Sequence, residues 1–263
     1  MPELPEVETV VRTVRPHIVG RTILEAKFTS QHVVKGDRQA FAERLIGRKI
    51  ESVQRRGKFI CVSLDQGSLS IHLGMTGNLF VAEEKHGKHT YGEFRFDQGI
   101  LLFNDPRQFG KIEWSAGEPK RASALGPEPL GISLEDFRAR LKRKAHIKPL
   151  LLNQKFLAGV GNIYADESLF ASGIHPLTSA AKISAPRAAR LHHAIQSILQ
   201  DAIDAHGSTI SDYRTALGDE GGYQQKHKVY GREGEPCVVC STPIRKVVVG
   251  QRGTHFCPAC QKR

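Results

Sequence analysis

The sequence predicts an α+β protein of several domains: an N-terminal β-sandwich with flanking helices, a helical domain, and a C-terminal β-hairpin that carries four cysteines. Three observations lead to this fold class. Short segments rich in β-branched and aromatic residues recur up to about residue 115, apolar residues then recur at helical spacing, and two C-x2-C pairs lie near the end. The chain has 263 residues, which suits about two domains. The predicted boundaries are 1–115 for the sandwich, 116–132 for a linker, 133–222 for the helical domain and 223–263 for the cysteine segment.

The first predicted element is a helix that begins within MPELPEVE and ends at Gly20. Proline fits the first helical turn because its missing N–H would have no partner there, and carboxylates such as Glu6 and Glu8 favour the positive end of the helix dipole. The opening has neither the cationic start nor the apolar run of a signal peptide. We therefore expect it to be kept, with the removal of Met1 left open.

The same opening allows a chemical interpretation. If Met1 is removed, Pro2 presents a free secondary amine, and the carboxylates of Glu3 and Glu6 are close to it in the sequence. An amine beside a general acid is a nucleophile equipped for covalent catalysis.

Eight strand-like segments follow, and one helical segment, RQAFAERLIG, interrupts them. The motif DQG between two of them is a hairpin signal. The series predicts the two sheets of a sandwich. In chain order the segments are RTILEAKF, KIESVQRR, KFICVSL, SLSIHLG, NLFVAE, GEFRFD, GILLFND and KIEWS.

The stretch SAGEPKRASALGPEPLGI is rich in glycine and proline and is typical of a linker. Beyond it, four segments carry apolar residues at helical spacing, with cap residues in front and glycine behind. They predict a helical domain of about four helices. The segments are SLEDFRARLKRK, IKPLLLNQKFLAG, NIYADESLFASG and SAPRAARLHHAIQSILQDAIDAHG.

The last part of the chain combines a loop and a hairpin. The polar, glycine-rich segment TALGDEGGYQQKHKVYGREGEP predicts a long loop. IRKVVVGQRGTHF then predicts a strand, a G-Q-R-G turn and a second strand, which puts Arg252 at the hairpin tip. An arginine there is either simply solvated or in contact with phosphate.

Four of the five cysteines form the motifs CVVC and CPAC, with the spacing of a tetrahedral zinc site. The alternative is a pair of disulfides, which are rare in the cytosol, and nothing suggests export. Four thiolates leave no open coordination position, so the predicted cofactor is one structural Zn²⁺ that folds the segment. The predicted ligands are Cys237, Cys240, Cys257 and Cys260, and Cys61 is expected to be a core residue.

The formal net charge of +11 and the pI near 9.6 favour a polyanionic partner, with nucleic acid ahead of an acidic membrane surface. No apolar run approaches the roughly 20 residues of a membrane span. The absence of a P-loop, a dinucleotide fingerprint and an H-E-x-x-H cluster argues against a nucleotide-driven enzyme or a metal hydrolase. We expect a soluble, cytoplasmic monomer with no membrane partner.

Seven motifs occur in order: PELPEVE at 2–8, QRRGKF at 54–59, HLGMTG at 72–77, NDPRQFGK at 104–111, LGPEPLG at 125–131, GVGNIYADESLFASGIHP at 159–176, and VYGREGEPC with the cysteine pairs. Together they resemble the bacterial formamidopyrimidine-DNA glycosylase family over essentially the whole chain. The resemblance implies a helix-two-turn-helix element and a glycosylase with abasic-site lyase activity. It also implies oxidised purines in damaged double-stranded DNA as the substrate, base excision repair as the role, and a place with the bacterial nucleoid.

The resemblance also implies catalytic roles. The Pro2 amine would attack sugar C1′ once the damaged nucleotide has left the duplex stack. Glu3 would protonate the ring oxygen of the sugar, and Glu6 would support that arrangement. Lys58 would contact phosphate, although on its own it would be taken for an exposed lysine at a strand end.

Three residues correspond to the family's wedge, which fills the gap left by the extruded nucleotide: Met75, Arg107 and Phe109. Apolar wedges that enter a base stack are a known device, and arginine can pair with the orphaned base. For Met75 and Phe109 the alternative is core packing.

Four further DNA contacts are implied in the same way. His72 lies in the motif of the wedge methionine, and Lys148 matches a position near the flipped base. Asn162 would bind the DNA backbone, although a simple helix cap is the alternative. Arg252 would contact phosphates around the lesion.

The departures from the family pattern are small, and two rivals remain open. Position 108 is Gln108 where many members carry a second arginine, and the loop 217–230 that would cover the flipped base aligns least well. One rival is endonuclease VIII, which acts on oxidised pyrimidines but has PEGPE at its start and lacks the wedge. The other is a zinc-ribbon nucleic-acid binder without catalysis, for which the N-terminus and Lys58 have no explanation.

Overall fold

The computed structural model describes residues 1–83 and 87–263. The described chain divides into two compact units. The first comprises Met1–Ala124 and Ala205–Gly222, and the second comprises Leu125–Asp204 and Tyr223–Arg263. Residues 205–222, which we assigned to the helical domain, are thus grouped with the sandwich.

Each of the eight predicted strand segments forms a strand of the first unit. The strands are β1 (Glu25–Phe28), β2 (Ile50–Arg56), β3 (Phe59–Leu64), β4 (Ser68–His72), β5 (Asn78–Ala82), β6 (Thr90–Arg95), β7 (Ile100–Asn104) and β8 (Lys111–Ser115). They form two antiparallel four-stranded sheets with the orders β1-β6-β7-β5 and β2-β3-β4-β8. Apolar residues of both sheets share one buried core, which confirms the β-sandwich.

The first helix, α1 (Leu4–Ile18), packs on this sandwich. Its residues Val7, Val10, Val11 and Val14 follow helical spacing and are buried in the same core. The amphipathic pattern therefore fixes which face of α1 meets the sheets, and with it the position of the chain's first residues.

Two further helices belong to the first unit: α2 (Arg38–Leu45) and α3 (Lys120–Ser123). Helix α2 begins at an Asp37 cap whose carboxylate accepts the N–H groups of Gln39 and Ala40. Helix α3 lies inside the segment that we predicted to be a linker.

The second unit contains four α-helices in its described residues, as the apolar periodicity predicts. They are α4 (Leu134–Leu141), α5 (Ile147–Leu152), α6 (Asn162–Ala171) and α7 (Ala185–Asp204). None of the described helices is long and apolar enough to cross a membrane.

The predicted helix over 147–159 is wrong in its second half, because α5 ends at Leu152. The side chain of Gln154 donates to the carbonyls of Leu152 and Val160 and accepts the N–H of Gly159, each at 2.9 Å. These bonds satisfy backbone groups that a longer helix would otherwise have used.

The C-terminal hairpin consists of β9 (Arg245–Val249) and β10 (Arg252–Phe256). The two turn residues, Gly250 and Gln251, have φ angles of 56° and 62°. Two positive φ angles are typical of the type I′ turn, which suits tight hairpins. The exposed Arg252 is the first residue of β10 and follows this turn, whereas we predicted it within a G-Q-R-G turn.

Candidate active site and nucleic-acid interface

The first three predicted catalytic residues lie together at the start of α1. Glu3 is the N-cap residue, and its backbone N–H donates to Oε2 of Glu6 at 2.8 Å in a capping box. Pro2, Glu3 and Glu6 are buried, whereas Met1 is half exposed. The helix start thus holds two carboxyl groups out of bulk water, and one of them belongs to the residue that follows Pro2.

The other oxygen of Glu6, Oε1, accepts the backbone N–H of Ser208 at 2.8 Å. Gly207 makes this approach possible, since a Cβ at that position would lie 2.9 Å from the Glu6 side chain. The Tyr213 hydroxyl closes the turn by donating to the carbonyl of His206. Burial, and then the Glu6 carboxylate, raise the pKa of Tyr213, so its phenol stays protonated. We did not identify Gly207 and Ser208 from the sequence, where a glycine after a helix signals only a helix end.

Lys58 lies in the turn between β2 and β3, next to Gly57, whose φ is 58°. Its side chain is 7% exposed, which excludes a simple solvated lysine at a strand end. Nearby, Glu8 accepts from Arg12 and Arg55 at 2.9 Å each. Burial alone would raise the pKa of Glu8, but the two arginines outweigh it and lower that pKa.

His72 is the last residue of β4, and its ring lies 5.0 Å from that of Phe59. Its Nδ1 accepts the N–H of Gly74 at 3.1 Å, so the proton of the neutral ring is on Nε2. Burial, and then the positive charges of Lys58 and Arg121, lower the pKa of His72 to about 4. At neutral pH the ring therefore offers one N–H donor and no charge.

Two loops carry the predicted wedge, and both present their side chains outward. Met75 is 40% exposed and Phe109 is 50% exposed, so neither packs in the core. The guanidinium of Arg107 lies over the Phe109 ring at 4.7 Å, which orients both side chains.

A buried carboxylate that we did not identify from the sequence, Asp105, holds these two loops together. It accepts from the Thr76 hydroxyl in one loop and from the Gly110 N–H in the other. The backbones meet closely at Gly74, where a Cβ would lie 2.6 Å from the nitrogen of Gly110. The motif NDPRQFGK contains Asp105, but its partner Thr76 lies 29 residues earlier, so local patterns could not show the pairing.

Gln108, which departs from the family pattern, has a positive φ of 55°. Its Oε1 accepts the hydroxyl of Ser30 at 2.6 Å. The glutamine thus anchors the Phe109 loop to the segment before α2 through a neutral contact.

Three predicted DNA ligands converge in the second unit. Lys148 Nζ and Asn162 Nδ2 both donate to the carbonyl of Gly253, at 3.1 and 2.9 Å. Gly253 follows the exposed Arg252 in β10. Asn162 is the first residue of α6 and makes no cap, because Gly161 is the N-cap residue. Its amide is directed to the hairpin instead.

Lys148 is fully buried, and its ammonium lies 2.6 Å from Oδ1 of Asp166, which is buried as well. The other oxygen of Asp166 accepts the His255 N–H at 2.9 Å. In this position Lys148 supports the hairpin backbone, and its place near a flipped base stays a prediction. Asp166 was not identified from the sequence, since its partners lie 18 and 89 residues away.

A second buried carboxylate of α6, Glu167, holds the loop before the hairpin. It accepts the backbone N–H groups of Lys228, Val229 and Tyr230 at 2.8 to 3.1 Å. Burial raises the pKa of Glu167, although the three N–H groups act in the opposite direction. The end of the predicted loop is therefore fixed to the helix by one side chain.

The four predicted zinc ligands form one cluster, with all Sγ atoms within 4.8 Å of one another. Their closest pairs are 3.4, 3.5 and 3.9 Å apart. A tetrahedron with Zn–S bonds of about 2.3 Å has edges of about 3.8 Å, so the cluster fits the ion. The N–H groups of Val239 and Cys260 point to Sγ of Cys237 and Cys257, which suits thiolates.

Three segments of the chain match known protein families. Residues 1–112 match the formamidopyrimidine-DNA glycosylase N-terminal domain, 125–214 match the H2TH domain of that glycosylase, and 234–263 match the zinc finger found in FPG and IleRS. A formamidopyrimidine-DNA glycosylase from Solibacter usitatus is 55% identical, with all of both chains aligned. The chain belongs to the formamidopyrimidine-DNA glycosylase family.

Other relatives agree in sequence and structure. The formamidopyrimidine-DNA glycosylase of Herpetosiphon aurantiacus is 46% identical over 99% of this chain and all of its own. A mutant of the Lactococcus lactis protein in complex with DNA that contains Fapy-dG has a TM-score of 0.92 and 36% identity, with both chains fully covered. The Thermus thermophilus protein has a TM-score of 0.89 and 40% identity, over 99% of this chain and 98% of its own.

Membership of the family confirms the resemblance drawn from the sequence motifs. The chain is an enzyme of DNA repair, a DNA glycosylase with a helix-two-turn-helix domain and a zinc finger. Its four clustered cysteines bind one structural zinc ion, because the zinc-finger match and the thiolate geometry agree.

Proposed function

We propose that this enzyme excises oxidised purines, 8-oxoguanine and formamidopyrimidines, from duplex DNA and then cleaves the strand through a Schiff base at Pro2. The observation that carries the proposal is the buried start of α1, where Glu3 follows Pro2 in the chain and Glu6 accepts the Glu3 N–H. We further propose that it acts as a monomer in the bacterial cytoplasm, on the DNA of the nucleoid.

The first step belongs to the Pro2 nitrogen once Met1 is absent. An α-amino group has a pKa near 8, against about 10.4 for a lysine, so more of it is neutral at physiological pH. Its lone pair forms a bond to C1′ while the bond from C1′ to the base breaks, and the base leaves with the electron pair. The Pro2 N–H proton then passes to the departing base, which restores the lone pair of the nitrogen. That lone pair expels the ring oxygen and gives a cationic iminium, which stays charged because no N–H remains on a proline nitrogen.

Glu3 supplies the proton for ring opening. The sugar oxygen leaves C1′ with its electron pair, and a proton from the Glu3 carboxyl converts it to a hydroxyl. Glu6 positions Glu3 by accepting its backbone N–H, and holds the chain at Ser208 with its other oxygen. The iminium then acts as an electron sink. Loss of a C2′ proton to a base expels the 3′ phosphate, and loss of the C4′ proton expels the 5′ phosphate in the same way, which leaves a gap.

Lys58 and His72 suit a phosphate beside the reacting sugar. The buried ammonium of Lys58 supplies the charge. His72, kept neutral by its low pKa, supplies a directed N–H without adding a second charge to the pocket.

The wedge suits the space left by the extruded nucleotide. Met75 and Phe109 are exposed apolar side chains on two loops that Asp105 keeps at a fixed spacing. Arg107, stacked on Phe109, presents donors that match the edge of the orphaned base. In the second unit, Arg252 and Asn162 contact the DNA backbone. Lys148 acts by holding the carbonyl of Gly253, the residue that follows Arg252.

Borohydride trapping tests the proposal. The protein, freed of Met1, is mixed with a duplex that carries one 8-oxoguanine opposite cytosine, and the reductant converts the iminium to a stable amine. We expect a covalent complex on this duplex, less on one with an oxidised pyrimidine, and none on undamaged DNA. Preferential trapping on the pyrimidine would favour the endonuclease VIII activity, and tight binding without trapping would identify a non-catalytic binder.

A further inference from the structure

A pocket of about 420 Å³ lies in the first unit, where α2, β8 and α3 border one another. Its apolar walls include Phe41 of α2 and Trp114 of β8, the single tryptophan of the chain. A volume of this size lies in the range of pockets that take small ligands.

The pocket carries a strong excess of positive charge. Lys35, Arg44, Lys120 and Arg121 line it, against one carboxylate, Glu113. Glu113 accepts from Arg121 at 3.2 Å. Within residues 1–83 and 87–263, Lys35 and Lys120 form no ion pair, so their charges are not neutralised.

The aromatic wall fixes one of these cations in place. The Arg44 guanidinium lies 5.4 Å from the centre of the Trp114 ring, in cation–π geometry. The indole is itself confined, since a Cβ at Gly67 would lie 2.7 Å from its Nε1. A guanidinium held in this way loses less side-chain entropy when it binds an oxyanion, and its edge donors fit phosphate oxygens.

The pocket also adjoins the proposed phosphate contacts. Arg121 lies over the Phe59 ring at 5.8 Å, and that ring lies 5.0 Å from His72. The charge of Arg121 contributes to the low pKa of His72. Phosphate-binding groups therefore run from the neutral N–H donor of His72 through the cation of Arg121 into the pocket.

We propose that this pocket binds backbone phosphates of the DNA beyond the lesion and so lengthens the stretch of DNA that the enzyme holds. The proposal rests on the proposed function, because it takes DNA as the bound polyanion. None of the pocket residues belongs to the proposed catalytic group.

The single tryptophan gives a direct readout of this pocket. Trp114 fluorescence is titrated with a short lesion duplex and with the same duplex extended by one helical turn, about 10 bp, on each side. We expect the emission to change with the extended duplex and much less with the short one. Emission that responds equally to both duplexes, or to neither, would overturn the proposal.

Charge variants complete the test. Lys35→Ala/Lys120→Ala should bind the extended duplex about 3- to 10-fold more weakly, with a salt slope lower by about one for each lost phosphate contact. Binding of the short duplex and trapping on it should be unchanged. The matched control is Lys49→Ala, which replaces an exposed lysine outside the pocket.

An equal loss of affinity for both duplexes, or a loss no greater than that of the control, would contradict the proposed role of the pocket. Absence of trapping in the parent protein would instead contradict the proposed function.

Discussion

Glu6 and Ser208 lie 202 residues apart in the sequence, and a hydrogen bond of 2.8 Å joins the Glu6 carboxylate to the Ser208 N–H. The same carboxylate accepts the N–H of Glu3. One buried side chain therefore fixes the start of α1 and connects it to the segment that follows α7.

Replacing Glu6 tests this junction. Glu6→Gln turns one of two acceptor oxygens into a donor that faces an N–H, so we expect a loss of about 1–3 kcal/mol in the free energy of unfolding. Trapping should also slow, because Glu3 loses its support. Denaturant unfolding of Glu6→Gln and of the exposed control Glu43→Gln measures the loss. Equal midpoints for the two variants would show that Glu6 does not carry the junction.

Lys148 and Asp166 should behave as a buried ion pair. Lys148→Met leaves the Asp166 carboxylate buried without a cation, which typically costs about 3–5 kcal/mol. The double variant Lys148→Met/Asp166→Asn should recover much of that loss, and the exposed control Lys155→Met should cost little. Chemical denaturation of the parent protein and the three variants gives the four free energies of unfolding. A double variant as unstable as Lys148→Met would contradict the pairing.

The low pKa of His72 predicts a pH dependence of stability. The ordinary pKa of histidine is near 6.5 and that of folded His72 is about 4, so the unfolded chain takes up the proton first. The stability contributed by the neutral ring is complete above about pH 6.5 and is lost as the pH falls towards 4. His72→Gln should reduce this pH-dependent change in the free energy of unfolding by about 1–3 kcal/mol. His227, whose pKa burial also lowers to about 4, titrates in the same window, so only the difference between parent and variant is informative. Parallel profiles would contradict the assignment.

Excision and strand cleavage should respond differently to loss of the Glu3 acid. An intact nucleoside needs ring-oxygen protonation, whereas an abasic sugar already equilibrates with an open aldehyde. Glu3→Gln should therefore slow excision of 8-oxoguanine by about 10²- to 10⁴-fold while retaining substantial cleavage of abasic DNA. Single-turnover rates on the two substrates provide the measurement. An equal fall in both rates would mean that Glu3 acts at a shared step.

The strands, the helices and the zinc ligands could be predicted because their signals are local. Alternation marks β2 to β4, helical spacing marks α1 and α7, and the C-x2-C spacing marks the metal site. We missed the end of α5 because side-chain hydrogen bonds from Gln154 replace helical bonds beyond Leu152. The spacing of apolar residues does not reveal such bonds.

The carboxylates that position the site could not be found in this way. Asp105, Asp166 and Glu167 each bind groups distant in the sequence, so only the fold brings the partners together. We predicted the wedge residues from the family motif and not from a hydrophobic pattern. Met75 and Phe109 are exposed because they lie on loops where apolar side chains have no core to enter.

We propose the Pro2 nitrogen as the nucleophile, and Lys58 is the buried amine that could replace it. Peptide mapping by mass spectrometry of the borohydride-trapped complex distinguishes the two. We expect the sugar adduct on the Pro2 nitrogen, and no adduct on protein that retains Met1, because an amide nitrogen has its lone pair in resonance. An adduct on Lys58, or full trapping by protein that keeps Met1, would contradict the account.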